Sequence, residues 1–362
     1  MKIFTFYLPQ FHSIKENDEW WGKNFTDWVN VKAARKLIND HQQPKIPLDS
    51  NYYDLLDENT FKNQTKLAKE YKIDGFCFYH YWFNGKLLLE KPLEIFLNNS
   101  SLDIEFCLSW ANEPWTRAWD GQEKNVLMPQ KYGDIDDWRK HYKYLRRFFL
   151  DSRYLKINNK PVFVIYRSNS IESLKEMLDF FNNEAKKDGF SGLFFTQTLN
   201  SFQVKEERFK FDAAIEFEPM YTLEHHLPKW FYLKKKLIYK LKLILKSHFP
   251  DNWRINKIDY SMVWESIIKR GVKKNRFLGA FPAWDNSPRK KYNSTIIINS
   301  SPKKFEKYLS LQIKRGLDAG VDMIFINAWN EWAEGAYLEP DEMNEYAYLE
   351  SVKNSLKKNH LQ

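Results

Sequence analysis

The chain has only two cysteines in 362 residues and no uninterrupted apolar run near the roughly 20 residues that a membrane span requires. Cys77 and Cys107 lie inside the strand-like runs GFCFYHYW and EFCLSW, where a small buried hydrophobe fits, so both read as inert core thiols. No Cys/His cluster has zinc spacing and no acid-rich calcium loop is present, so neither a metal nor any other cofactor is expected. No G-x-G-x-x-G follows the first strand-like run, which disfavours a dinucleotide-binding sheet. A glycine-rich phosphate loop is missing, as is a D-x-D triplet suited to a metal-bound diphosphate. The opening residues MKIFTFYL carry one positive charge but neither a long apolar stretch nor a small-residue cleavage site, so they read as a first strand rather than an export signal. Together these absences lead to the expectation of a soluble cytoplasmic protein, or one peripheral to the inner membrane face.

Aromatic residues, by contrast, are abundant: 14 Trp, 20 Tyr and 28 Phe make up 17% of the chain. Such a surplus of amphipathic rings suggests a cleft for flat ligands such as sugars, beyond what a core needs. The formal net charge is +9. Most of it comes from one segment, 229–258, with nine basic residues and the single acid Asp251. One patch without a recognised binding motif gives no support to a nucleic-acid partner. Within that insertion, 230–246 has helical spacing. Trp230, Leu233, Leu237, Ile238, Leu241, Ile244 and Leu245 share one face, and Lys235, Lys236, Lys240, Lys242 and Lys246 the other. A helix of this kind either lies on an anionic membrane or packs its apolar face on the rest of the protein.

Short apolar runs alternate with amphipathic stretches throughout. The runs 3–9, 75–82, 104–110, 161–166, 193–198, 213–217, 277–284 and 323–329 read as strands; 60–71, 137–150, 171–187 and 302–319 read as helices. Eight alternating units imply parallel pairing and an α/β fold, the (β/α)8 barrel. With no linker rich in Pro, Gly or Ser, a single domain with insertions is the simplest organisation.

In such a barrel the carboxyl ends of the strands face the active site. Six of these ends combine rings with polar groups. YLPQFH contributes Tyr7, Gln10 and His12, and FYHYWF contributes Tyr79, His80 and Trp82. SWANEPW adds Trp110, Asn112, Glu113 and Trp115; FEP adds Glu218, expected to face the barrel centre where Glu216 does not. PAWDN adds Trp284 and Asp285, and WNEWAE adds Trp329 and Asn330 together with Glu331 and Glu334. A polar, aromatic-lined cup of this composition suits an oligo- or polysaccharide. Plainer roles exist: His80 as a core histidine, Glu113 as a strand terminus before proline, Asp285 as the start of a turn. Glu331 and Glu334, three apart, would share a face of any helical turn after the last strand, close enough to serve one reacting centre.

Taken together, YLPQFH, GFCFYHYW, LSWANEPWTRAWDG, FPAWDNSPR and AWNEWAEGAYLEPD resemble the WbsX-type proteins of bacterial polysaccharide gene clusters, relatives of glycoside hydrolase family 99. The resemblance covers most of the chain from Met1 to about Leu349, with the basic insertion the least familiar part. It implies a (β/α)8 barrel that cleaves α-mannoside-like glycans with retention and without metal. It also maps the family's E-W-H-E motif onto Glu331-Trp332-Ala333-Glu334, with alanine where the family has histidine. On that mapping Glu331 deprotonates the sugar 2-hydroxyl, which attacks the anomeric carbon, and Glu334 is general acid and then base. A carboxyl that donates a proton near neutral pH needs a dry setting, so Glu334 is expected to have the raised pKa while Glu331 stays ionised. WbsX-type proteins have also been labelled glycosyltransferases, which leaves a transferase building the same polymer, or a non-catalytic glycan-binding protein, as rival readings.

Overall fold

In the computed structural model, which describes residues 1–117, 122–203, 211–244 and 251–361, the eight runs become eight parallel strands. These are β1 (Lys2–Tyr7), β2 (Gly75–Phe83), β3 (Glu105–Trp110), β4 (Lys160–Ile165), β5 (Phe194–Leu199), β6 (Ala213–Glu216), β7 (Arg276–Ala280) and β8 (Met323–Ile326). Each pairs with its neighbours in chain order, and β1 also pairs with β8, Lys2 opposite Met323 and Thr5 opposite Ile326. The sheet therefore closes into a (β/α)8 barrel.

The helices are α1 (Lys15–Trp21), α2 (Asp27–Ala33) and α3 (Glu58–Glu70) before β2; α4 (Lys91–Asn98) before β3; α5 (Ile135–Phe149) before β4; and α6 (Leu174–Lys187) before β5. Next come α7 (Met220–His225), α8 (Lys229–Ile244) and α9 (Tyr260–Lys269) before β7, α10 (Ser287–Lys290) and α11 (Pro302–Asp318) before β8, and α12 (Ala347–Lys358) last. Their starts follow local chemistry. Asp134 accepts the N–H groups of Asp136 and Asp137 at the head of α5, and Ser301, ahead of Pro302, accepts from Lys304 at the head of α11. Neither cysteine is in a disulfide; both are fully buried side by side on β2 and β3.

Two aromatic layers account for much of the ring surplus. Inside the barrel, Phe6 meets Tyr79, Phe217 and Phe325 at centroid distances of 5.7, 5.0 and 5.9 Å, and Phe325 meets Phe4 and Phe277. Between barrel and helices, Tyr7, Phe61, Phe76, Phe78 and Phe96 pack together. Much of the aromatic share is therefore core packing rather than cleft lining. Strands β6 and β7 approach so closely that a Cβ on Gly279 would lie 1.8 Å from the Glu216 carbonyl oxygen, so only glycine fits there.

The two-residue period of a strand decides which side chains reach the interior, and it overturns five of the expected cleft residues, Trp82 among them. Tyr7 points outward, its hydroxyl donating to Gln64 Oε1 at 2.6 Å. His80 points at α5, where its Nε2 lies 2.8 Å from His141 Nε2, and burial lowers its pKa to about 3. Trp110 turns to the same layer and donates to the Trp82 carbonyl. Glu218 points outward as well, because residues 216 and 218 lie two apart and share a face. Both carboxylates bind Arg270 Nη2, at 2.5 and 2.7 Å, and Phe217 between them takes the interior. Arg276 adds a contact to Glu216 at 3.2 Å and Thr222 one to Glu218 at 2.8 Å.

This acid–base cluster is buried, so removing its central cation takes from both carboxylates their shared partner and leaves Glu216 to Arg276. Arg270→Met is expected to lower the unfolding free energy by about 3–5 kcal/mol, measured by urea denaturation. A loss below roughly 1 kcal/mol would mean that the cluster behaves like an exposed ion pair.

Candidate active site

The end of β8 is not followed by a regular helix. The chain makes a tight hairpin, with Asn330–Glu331 antiparallel to Ala336–Tyr337 and one 3₁₀ turn, Trp332–Glu334, between them. A 3₁₀ turn has three residues per revolution, so Glu331 and Glu334 still emerge on one side. Gly335 closes the hairpin at φ +60°, and a Cβ there would come within 3.0 Å of the Asp285 backbone nitrogen and Cβ. That approach lets the Asp285 N–H donate to the Glu334 carbonyl at 2.6 Å, which ties the loop after β7 to the hairpin after β8.

Arg289, on α10, organises the two acids. Its Nη1 lies 2.7 Å from Glu334 Oε1 and its Nη2 3.4 Å from Glu331 Oε2, while Nη2 also bonds Asp27 Oδ2 at 3.0 Å. Three carboxylates thus face one guanidinium in a nearly dry site. Burial first, and then the charge of Glu334, push Glu331 up to about 8 against the pull of Arg289. Burial raises Glu334 as well, opposed chiefly by Arg289. The order differs from the expectation that Glu331 stays ionised. The physical reason is the shorter Arg289 contact, which favours charge on Glu334.

Around this pair stand three tyrosines and a further acid, Glu113. Tyr79 and Tyr81 on β2 are buried and Tyr166 at the end of β4 is half-buried; after desolvation the negative charges of the site raise their pKa values, Glu331 for Tyr79 and Tyr81, Glu113 for Tyr166. Glu113 binds Arg167 Nη1 at 3.2 Å, and burial raises its pKa with a further push from Glu334. Asn112 fixes this corner, since its Oδ1 accepts the Arg167 N–H and its Nδ2 donates to the Arg167 carbonyl, both at 2.8 Å. Asn330 does the same at β1, accepting the Leu8 N–H at 2.7 Å and donating to the Leu8 carbonyl at 3.0 Å.

Of the expected site residues, Tyr79, Glu113, Glu331 and Glu334 therefore come together, with Asn112 and Asn330 behind them. Trp115 packs edge-on against Trp20 and Tyr81 at the rim. Asp285 is buried and bonded by His41 Nε2 and Gln43 Nε2, both at 2.7 Å; against the effect of burial these bonds hold its pKa low, so the carboxylate serves the loop. Trp284 is buried beside it. Gln10 is buried, its carbonyl accepting the Asp27 N–H. His12 is buried against the Pro9 carbonyl, and desolvation lowers its pKa to about 4. Trp82, like its outward neighbour His80, faces α5, donating to Asp137. Trp329 is fully buried behind the hairpin, where it donates to Glu339.

Sequence reasoning did not single out Asp27, Tyr81, Tyr166, Arg167 and Arg289. Tyr81 and Tyr166 were within reach of a consistent alternation count from Tyr79 and from β4. Arg289 sits in FPAWDNSPR, where a lone arginine had no visible partner. Asp27 lies on α2, far from any strand end in the chain, and nothing local marks it. Among the described residues no group of three or more His, Cys, Asp or Glu side chains is placed to hold a metal ion.

A family model described as glycosyltransferase WbsX matches residues 3–352. Proteins from two strains of Xanthomonas campestris pv. campestris, both named uncharacterized protein WxcX, are 33% identical over 358 residues. That alignment takes in 98% of this chain but 49% of theirs, so the chain spans about half the length of these curated relatives. Among solved structures, the family 99 endo-α-mannosidase from Bacteroides thetaiotaomicron superposes with a TM-score of 0.54 at 11% identity, covering 99% of this chain and 97% of that one. A glycoside hydrolase-like protein gives 0.57 at 14% identity, covering 98% and 93%. At these identities the likeness is one of fold.

The raised Glu331 makes a stability prediction with a definite sign. Folded, it holds its proton up to about 8; unfolded, it releases it in the ordinary glutamate range. In that window the unfolded chain binds fewer protons, so stability falls as pH rises and levels off above about 8. Glu331→Gln removes this contribution. Thermal unfolding between about pH 5 and about pH 9 should show a flatter profile for the variant, which at pH 8 should be at least as stable as wild type. Parallel profiles would contradict a protonated Glu331.

Proposed function

The chain belongs to the family described as glycosyltransferase WbsX, and from that membership we propose that it is a retaining glycoside hydrolase, endo-α-mannosidase- or mannanase-like. Its substrate on this reading is a bacterial surface polysaccharide or a related mannose-type glycan. Residues 1–362 act as one catalytic domain carrying the 229–258 insertion. The observation that carries the reading is the one guanidinium, Arg289, bonded to both Glu331 and Glu334 at the mouth of a closed barrel. The superposable endo-α-mannosidase supports the substrate class through fold.

In the proposed reaction Glu331 takes the proton of the sugar 2-hydroxyl. That oxygen attacks the anomeric carbon as the glycosidic bond breaks, and Glu334 gives its proton to the leaving oxygen. The 1,2-anhydro sugar then opens when Glu334 deprotonates a water, and the proton on Glu331 returns to the 2-oxygen. Two inversions give net retention. The cycle needs one proton shared by the two acids, and a largely desolvated pair held by a single cation supplies that condition. As the site stands, Arg289 draws charge onto Glu334. A glycan entering beside Glu334 has to loosen the 2.7 Å contact, which leaves the guanidinium to Glu331 and the proton to Glu334.

The rival, transfer from a nucleotide sugar, draws on the family's description. Against it, the triplet Asp134-Ile135-Asp136 is spent on a helix start, with Asp134 Oδ1 bonded to two backbone N–H groups of α5. Both glutamates would be superfluous in a protein that only bound glycans.

Glu331→Gln and Glu334→Gln should each slow hydrolysis of the natural glycan by about 10² to 10⁴. With an activated aryl leaving group, which needs no protonation, Glu334→Gln should retain much of its first-step rate while Glu331→Gln should not. Wild-type activity should fall above about pH 8, where the pair loses its shared proton. Near wild-type cleavage by both folded variants, or transfer that depends on a nucleotide sugar, would overturn the assignment.

We further propose that the insertion touches an anionic membrane. Among the described residues no helix is long and apolar enough to cross one. Helix α8 does, however, expose Trp230, Leu233 and Leu237 at 56, 68 and 60%. Tyr232 supplies its attachment, bonding the Leu227 N–H and the Leu223 carbonyl. The barrel therefore leaves this part of the apolar face uncovered. Residues 245 and 246 of the expected helix lie outside the described residues. The basic excess of the insertion complements anionic headgroups. Flotation with phosphatidylglycerol vesicles should carry the intact protein, and less of a Trp230→Ser/Leu233→Ser/Leu237→Ser variant; equal flotation of the two would refute the contact.

A further inference from the structure

Behind the hairpin lies a further carboxylate that the proposed chemistry does not use. Glu339 is buried, and its oxygens take four hydrogen bonds. Oε1 accepts Gln64 Nε2 at 2.7 Å and Trp329 Nε1 at 3.0 Å; Oε2 accepts Trp332 Nε1 at 2.7 Å and the Tyr53 hydroxyl at 2.8 Å. Every one of these donors is neutral. Tyr7, donating to Gln64 Oε1, turns the Gln64 amide so that its NH₂ faces the carboxylate. Burial, only partly offset by these bonds, pushes Glu339 up to about 7.

We propose that Glu339 is the positioning residue of the active site: by gripping the indoles of Trp329 and Trp332, on either side of Asn330-Glu331, it fixes the directions of Glu331 and Glu334. The inference rests on the reaction assigned above. Trp332 is the link, since it heads the 3₁₀ turn between the two acids. Its ring is stacked on Tyr337 at 3.8 Å and lies 5.5 Å from Trp28. Trp28 neighbours Asp27, which holds Arg289. One carboxylate therefore sets both the turn that carries the acids and the helix that supplies their cation with its third partner. A hydrophobic residue at 339 would fill the space but leave two indole N–H groups, a tyrosine hydroxyl and an amide without acceptors.

Glu339→Gln tests this with little change of shape. Whichever oxygen becomes NH₂ now faces two donors, so at least one indole must let go. Two readouts are needed, both on the full chain. In carbon-13 carboxyl NMR, the midpoint of Glu331, expected near 8 in wild type, should move by about one unit or more in the variant, because the geometry that sets it has changed. On a glycan cleaved by the wild type, kcat should fall by about 10²-fold with KM nearly unchanged, the mark of misplaced reacting groups. A variant that loses thermal stability but keeps the Glu331 titration would show Glu339 to be structural only, and the proposal fails. Should Glu339→Gln not fold, Trp329→Phe and Trp332→Phe carry the test, each deleting one bond and keeping a ring; an unmoved Glu331 midpoint in both overturns it. If the wild type cleaves no glycan, the hydrolase assignment falls while the titration still decides the role of Glu339.

Discussion

One cation among three acids, two of them buried and the third half-buried, is the constraint on which the active site depends. Arg289 meets Asp27, Glu331 and Glu334 where water is nearly excluded, so full ionisation would leave two uncompensated negative charges in a medium that screens them poorly. The site resolves this by holding a proton. Its location responds to distance, which is why the contact to Glu334 at 2.7 Å and that to Glu331 at 3.4 Å matter more than the identity of the residues. Acid–base chemistry at such a centre needs little conformational change. A shift of a few tenths of an ångström in one guanidinium redistributes the charge.

The barrel was legible in the chain because it repeats one signal eight times. Each apolar run between turn-forming residues became a strand, and the helices at 60–71 and 302–319 appear within two residues of the expected ends. The side-chain directions were less accessible. In GFCFYHYWF every residue is buried, so hydrophobicity gives no alternation to read. Tyr79 and Tyr81 face the acids while His80 and Trp82 face α5, and only the closed register separates them. Glu218 was expected in the cleft for a different reason, a period miscounted between residues 216 and 218, and its partner Arg270 lies 52 residues away in the chain. Glu331 and Glu334 could be found because they are close in sequence. Asp27, Arg289 and Glu339 could not, since each is defined by contacts that exist only after the barrel closes.

The many rings of this protein do two kinds of work that composition cannot tell apart. Phe6, Phe217 and Phe325 fill the barrel as hydrocarbon. Trp329 and Trp332 also fill space, but their N–H groups give a buried carboxylate the donors it needs, and that carboxylate in turn fixes the rings. The pairing of tryptophans with acids in AWNEWAEG thus contains two separate relations. Glu331 and Glu334 answer to Arg289, and the tryptophans answer to Glu339.

Two asparagines make the alignment of the barrel mouth depend on two amide groups. Asn112 and Asn330 each act as a surrogate peptide, one amide oxygen accepting a backbone N–H and one amide nitrogen donating to the carbonyl of the same residue, Arg167 or Leu8. Replacing either asparagine by aspartate would keep the shape but put a charged oxygen in place of the donor, pointed at a carbonyl. Attraction becomes repulsion at the point where β3 meets β4 or β8 meets β1, next to Glu113 or Glu331. An aspartate at either position would thus misalign the active site by exchanging one NH₂ for an oxygen, with the secondary structure intact.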